Sequence, residues 1–147
     1  TTFDKYKTFY SFKKENEAIP IVFIHGVGLT KEIWDPQINF FKDRNLLTYD
    51  LIGHGDTPLK KTQLNFEDFT KQLLNLIDEL NINKIHLVGF SLGSLIARHF
   101  AAEHSDRLSS LVLHGSIYKR SVEQKRVIEN RFELIKNSRS ASKKSSS

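Results

Sequence analysis

Residues 88–94 read VGFSLGS, and within them Gly89-Phe90-Ser91-Leu92-Gly93 sets a serine two residues from a glycine on either side. A serine hydroxyl is a weak nucleophile unless a base takes its proton and fixed dipoles stabilise the charge that develops on the substrate. The spacing suits that task when the serine occupies a sharp turn between a strand and a helix. Glycines at 89 and 93 then remove Cβ atoms that would collide in the turn. The hydroxyl stands clear at a helix N-terminus, where the dipole favours negative charge, and the N–H of Leu92 points where an oxyanion would form. Taken alone, the pattern is also what chance produces in a glycine-serine turn, so its neighbours decide.

Two further stretches bear on the same chemistry. His25-Gly26-Val27-Gly28 follows the apolar run Ile21-Val22-Phe23-Ile24. Acyl transfer needs backbone N–H groups fixed against the developing oxyanion, and glycines let a chain turn sharply enough to supply them. The rival reading is a glycine turn with an incidental histidine. Asp50-Leu51-Ile52-Gly53-His54-Gly55-Asp56-Thr57 follows Leu46-Leu47-Thr48-Tyr49. It reads as a compact rim loop in which Asp50 and His54 are hydrogen-bonding struts, not partners of Ser91.

The elements that must position these residues can be read from periodicity. Residues 3–13 alternate loosely between aromatic and polar, which suits an edge strand or hairpin. Ile21–Ile24, Leu46–Tyr49, Ile85–Val88 and Leu108–Leu113 are short continuous apolar runs, as in strands buried on both faces of a parallel sheet. Helices alternate with them. Asp35-Pro36 reads as an N-cap and first helical proline, opening a helix through Phe41. Asn65 with Glu67 and Asp68 caps an amphipathic helix ending near Asn81. Leu92–His104 carries a small-residue stripe of Ser94, Ala97 and Ala101 that allows close approach to a sheet. Strand alternating with helix predicts a three-layer α/β/α fold with a mostly parallel sheet. All three motifs then fall at the C-terminal ends of strands, where open α/β sheets bind ligands.

Composition limits the alternatives. The 147 residues, 39% hydrophobic and 27% charged, suit one soluble domain. There is no cysteine, which excludes disulfides, thiolate metal sites and thiol catalysis. No apolar run reaches membrane-spanning length, and TTFDKYKTFY lacks the layout of a signal peptide, so the expected location is cytoplasmic, without a membrane. The net charge of +5 is uneven: residues 1–118 hold 13 Lys/Arg and 14 Asp/Glu, residues 119–147 hold 9 and 3. The excess therefore belongs to the last segment, where no aromatic interleaving supports a nucleic-acid partner. There Ser121 and Gln124 form a capping box for a charged helix to about Lys136. NSRSASKKSSS follows, with six serines in 11 residues, a composition expected to be disordered.

HGVG, DLIGHGDT and GFSLGS, in this order and spacing across roughly residues 3–116, resemble the N-terminal half of the α/β-hydrolase fold superfamily. The three stretches look like its oxyanion loop, its D-x-x-G-x-G-x-S loop and its nucleophile elbow. Thr57 stands for the usual serine and Ser94 for a frequent second glycine. The resemblance implies Ser91 as nucleophile and the N–H groups of Val27 and Leu92 as oxyanion donors. His25, Gly26, Gly28, Gly89 and Gly93 would support them, and Phe90 and His114 would line the pocket. It implies a hydrolase of carboxylic esters, lactones or related acyl bonds on small molecules, with neither metal nor organic cofactor; a C–C bond hydrolase is the nearest variant. In such folds the triad acid and histidine follow the serine. Downstream of Ser91, His99, Glu103 and Asp106 fall along or beyond the next helix. His114 ends a strand on the correct side, with no acid placed to orient it. The expected organisation is a core at 1–116, the start of a helical cap at 117–136 and a tail at 137–147, truncated before the acid and histidine. The alternative is a non-catalytic binding or interaction protein on the same fold. Oligomeric state is not legible.

Overall fold

The apolar runs become one sheet in the computed structural model, which describes residues 5–59 and 63–115. Its strands are β1 (Tyr10–Lys13), β2 (Ile21–Ile24), β3 (Leu46–Tyr49), β4 (Ile85–Phe90) and β5 (Leu108–His114). β2 and β3 coincide with their apolar runs. β4 continues past Val88 because Gly89 and Phe90 pair with Leu113 and His114 of β5, which also extends that strand. The spatial order is β1-β3-β2-β4-β5. β1 runs antiparallel to β3 at one edge and the other neighbours are parallel. The chain leaves β2 outward to β3, then returns across β2 to form β4. That reversal makes a topological switch point at the C-terminal ends of β2 and β4, where the loop after β2 and Ser91 lie.

Helices α1 (Asp35–Phe40), α2 (Phe66–Glu79) and α3 (Leu92–Glu103) cover the sheet. Asp35 is not the N-cap expected of it. A 3₁₀ turn at Lys31–Trp34 runs straight into α1, Trp34 is the cap, and the Asp35 N–H donates to the Glu32 carbonyl. The turn's own backbone thus meets the need a capping side chain would otherwise serve. Asn65 does cap α2: its side chain accepts from the Asp68 N–H, and Asp68 accepts in return from the Asn65 N–H. Past the C-terminus of α2, Asn81 takes a left-handed φ of 58°, which its short polar side chain tolerates.

Apolar contacts follow the two faces of the sheet. Phe23, Trp34 and Leu46 form a cluster on the α1 side, with Ile21, Ile38, Phe41, Val88 and Phe90 packed against it. On the other side α3 lies against β2, β4 and β5 and packs on α2. Ser94 and Ala97 are fully buried and Ala101 half-buried, as the small-residue stripe requires. At the far edge β5 leaves Leu111, Val112 and Leu113 exposed, and it is the outer strand among the described residues. The described residues belong to one compact unit, Thr1–Ser116. The cap and tail expected at 117–136 and 137–147 lie outside the described residues.

Candidate active site

Ser91 is the N-cap of α3 and adopts φ 54°, ψ −115°. A side-chain-bearing residue held there costs on the order of 1–3 kcal/mol, so the surroundings must enforce it. They do so on three sides. The Ser91 N–H donates to the His114 carbonyl at 3.0 Å. The Ser91 carbonyl accepts from the Ser94 N–H at 2.9 Å and from Ser94 Oγ at 2.6 Å. A Cβ at Gly89 would stand 2.3 Å from the Gly93 carbonyl oxygen, and one at Gly93 2.3 Å from that of Ile24. Elbow and strand ends therefore close on one another without room for a side chain at either glycine. Leu92 opens α3, with its N–H at the positive end of the helix.

The loop after β2 passes alongside. A Cβ at Gly26 would lie 3.3 Å from both Ser91 Cβ and Phe90 Cδ1. The Leu29 N–H donates to the Gly26 carbonyl at 3.2 Å, closing a turn across Val27 and Gly28. Gly28 supplies the φ of 75° that the third position of such a turn needs. His25 is fully buried. Its Nδ1 lies 2.7 Å from the Gly26 carbonyl and its Nε2 accepts from the Leu51 N–H at 3.0 Å. Burial pushes its pKa down to about 4, the bond to Gly26 opposing only in part, so the ring is neutral at pH 7. Sequence reasoning took His25 as a support or an incidental residue and missed the second bond. Its partner is a backbone amide 26 residues away, which no side-chain pattern reveals.

Asp50 and His54 act as the struts expected of them. Asp50 accepts from the Lys31 N–H at 2.8 Å and the Asp56 N–H at 3.0 Å. His54 Nδ1 bonds the Ile52 carbonyl, and its ring lies 5.1 Å from that of His25. Thr57 serves in its serine-like place by donating to the Asp50 carbonyl and accepting from the Phe9 N–H. Gln72, unremarked in the sequence, is the hub. It is fully buried, accepts from the Ile52 N–H at 3.1 Å, and donates to the Asp50 carbonyl at 3.0 Å and to Thr8 Oγ1 at 3.2 Å.

The remaining candidates separate. Phe90 and His114 stack at 5.4 Å beside the elbow. His99 bonds Thr70 Oγ1 at 2.8 Å across the α2–α3 contact. Glu103 ends α3, about 17 Å along the axis from Leu92 at 1.5 Å per residue, and Asp106 lies in the 3₁₀ turn beyond it. His99, Glu103 and Asp106 are thereby removed from the Ser91 hydroxyl. A cleft of about 330 Å³ opens at the opposite end of the parallel strands, among Lys14, Pro20, Asn45, Leu80 and Lys84, and no motif residue lines it. Among the described residues no three His, Asp or Glu side chains cluster as a metal site would require, and no helix is long and apolar enough to cross a membrane.

The family model described as the alpha/beta hydrolase fold matches residues 19–146. The chain is 31% identical over 124 residues to an (E)-2-((N-methylformamido)methylene)succinate hydrolase of Acinetobacter baylyi, covering 84% of this chain and 47% of that protein. It is 35% identical over 100 residues to a pimeloyl-[acyl-carrier protein] methyl ester esterase of Legionella pneumophila, covering 67% and 38%. Among solved structures, the enol-lactonase from Burkholderia xenovorans superposes with a TM-score of 0.68 at 30% identity, over 71% of this chain and 41% of that one. The chain thus spans less than half the length of these proteins.

Proposed function

The chain belongs to the α/β-hydrolase fold family, and on that footing we propose that Ser91 is the nucleophile of a hydrolase acting on a carboxylic ester or lactone of a small molecule. The observation that carries this reading is the enforced conformation of Ser91, at φ 54° on a strand–helix turn with the glycine loop of Gly26 against it. A serine in a merely structural turn has no need of that geometry, and glycine would hold it at lower cost. In the proposed reaction Ser91 Oγ attacks the acyl carbon. The N–H groups of Val27 and Leu92 receive the oxyanion, and Phe90 and His114 border the acyl group. The base and its orienting acid come from sequence outside the described residues. The names of the relatives, a succinate-derivative hydrolase, a methyl ester esterase whose ester is carried on an acyl-carrier protein, and an enol-lactonase, support an acyl or related bond. The reading involves no metal, no organic cofactor and no nucleic acid, and it takes the protein as cytoplasmic.

A longer form of the chain that supplies the base, reacted with a fluorophosphonate probe and read by intact mass, tests it. Phosphonylation at Ser91, abolished in Ser91→Ala, is the expected result; equal labelling of both proteins would refute it. A second reading draws on the distance of His99, Glu103 and Asp106 from Ser91: a binding protein that keeps the fold without its chemistry. That protein would unfold cooperatively, remain unlabelled, and bind short-chain esters without turning them over.

A further inference from the structure

Two loops at the N-terminal ends of the parallel strands are each held in shape by a side chain from elsewhere in the chain. Asn45, 3% exposed, commits its whole carboxamide to the loop between β1 and β2. Its Oδ1 accepts from the Glu15 and Asn16 N–H groups, and its Nδ2 donates to the Asn16 and Ala18 carbonyls and to Asn16 Oδ1. Arg107 serves the loop between α2 and β4, donating to the Ile82 carbonyl at 2.7 Å and the Asn83 carbonyl at 2.5 Å while paired with Asp78. The wall between the loops is fixed to the sheet, the Ile21 N–H donating to the Asn45 carbonyl and the His86 N–H to the Pro20 carbonyl. Neither loop can settle onto the other without giving up these bonds, so the cleft of about 330 Å³ is preformed.

The lining is amphipathic. Phe12, Ile19, Pro20, Leu80 and Ile82 give it apolar surface, and each loop contributes a lysine, Lys14 and Lys84. Ile19 is left 42% exposed there. Glu17, the one acid in the lining, pairs with Lys14 at 3.5 Å, whereas Lys84 has no carboxylate partner among the described residues. The cleft therefore carries one unmatched positive charge. A lysine ammonium is a compact charge with three donors, which a carboxylate satisfies without a fixed geometry. The volume lies at the lower end of the range typical of small-molecule sites, roughly 300–1,000 Å³. Ser91 is the length of β4 away, about 20 Å at 3.3 Å per residue, and neither β5 nor the elbow contributes to the lining.

We infer that this cleft is a binding site, separate from the one at Ser91, for an amphipathic monocarboxylate whose apolar body lies against Ile19 and Leu80 and whose carboxylate meets Lys84. A single unmatched cation selects a monoanion, since a dianion would leave one charge unpaired and an uncharged molecule would leave the ammonium without its pair. The apolar lining selects a short alkyl or aryl body over a bare inorganic ion. The site stands independently of the role of Ser91.

The test titrates the longer form of the chain with octanoate at constant ionic strength and follows the amides in ¹H–¹⁵N spectra. Saturable displacement of the Ile19, Asn81 and Lys84 resonances is expected, with octanamide, the uncharged isostere, binding about fivefold more weakly. Lys84→Glu should weaken octanoate about tenfold, because attraction becomes repulsion of similar size, and should leave octanamide unchanged. Ile19→Ser should weaken both by about threefold. Both side chains are exposed and make none of the bonds that shape the loops, so neither substitution threatens the fold. Three results would each overturn the inference. They are the absence of saturable movement at these amides, equal affinity for octanoate and octanamide, and displacements confined to Gly26, Val27 and Leu92, which would place the ligand at Ser91.

Discussion

At the scale of single residues, the site is built on one strained backbone and the absence of two side chains. Ser91 sits at φ 54° where glycine would be unstrained. Relief of on the order of 1–3 kcal/mol of strain is set against the extra chain entropy of glycine, about 0.5–1 kcal/mol. Ser91→Gly is therefore expected to be about 1 kcal/mol more stable than Ser91→Ala, which keeps the strain, and urea denaturation of the two variants measures the difference. Equal stability would show that the turn imposes no strain. Ser91, Gly89 and Gly93 were legible in the sequence because the motif encodes a conformation, and the conformation dictates the glycines. Val27 and Leu92 were assigned through the same loops, by their amides. His25 and Gln72 were not legible as a linkage, because each bonds backbone groups that become neighbours only when β2, β3 and α2 assemble.

At the scale of elements, local signals succeeded where one face or one end dictates the residue. The runs at 21–24 and 46–49 are strands because continuous apolar residues can be buried on both faces at the centre of a parallel sheet. Asn65 starts α2 because two unpaired amides there need side-chain acceptors. Asn65→Ala removes one half of that reciprocal pair and is expected to cost about 1 kcal/mol, read as a lower denaturation midpoint with an unchanged slope. A shift below a few tenths would mean that water replaces the cap. The same logic misassigned Asp35, since the 3₁₀ turn before α1 is set by packing of Trp34 against Phe23, at 4.8 Å between rings. That contact spans two elements and leaves no periodic trace in the sequence.

At the scale of the whole molecule, the sheet is asymmetric: β1 closes one edge antiparallel, whereas β5 leaves Val112 53% exposed at the other. Apolar outer strands pair readily with further chains, so Val112→Lys is expected to lower self-association of the chain, seen as a smaller weight-average mass in light scattering. Acid sensitivity is the second global property, and it follows from His25. Its folded pKa of about 4 lies below the ordinary 6.5 because burial penalises the charged ring. The unfolded chain therefore takes up a proton as pH falls through 6.5, while the folded chain resists until about 4. The stability this residue contributes is complete above pH 6.5 and is lost progressively down to pH 4, by about 3 kcal/mol from 1.36 kcal/mol per unit. Protonation also sets an N–H against the Leu51 N–H, so the linkage between the two loops fails in the same interval. Denaturation midpoints at pH 7.5 and 4.5 should fall further in the parent chain than in His25→Asn, which has nothing to titrate at that position. Equal falls would place the acid sensitivity in other groups and leave His25 ionising as it does in water.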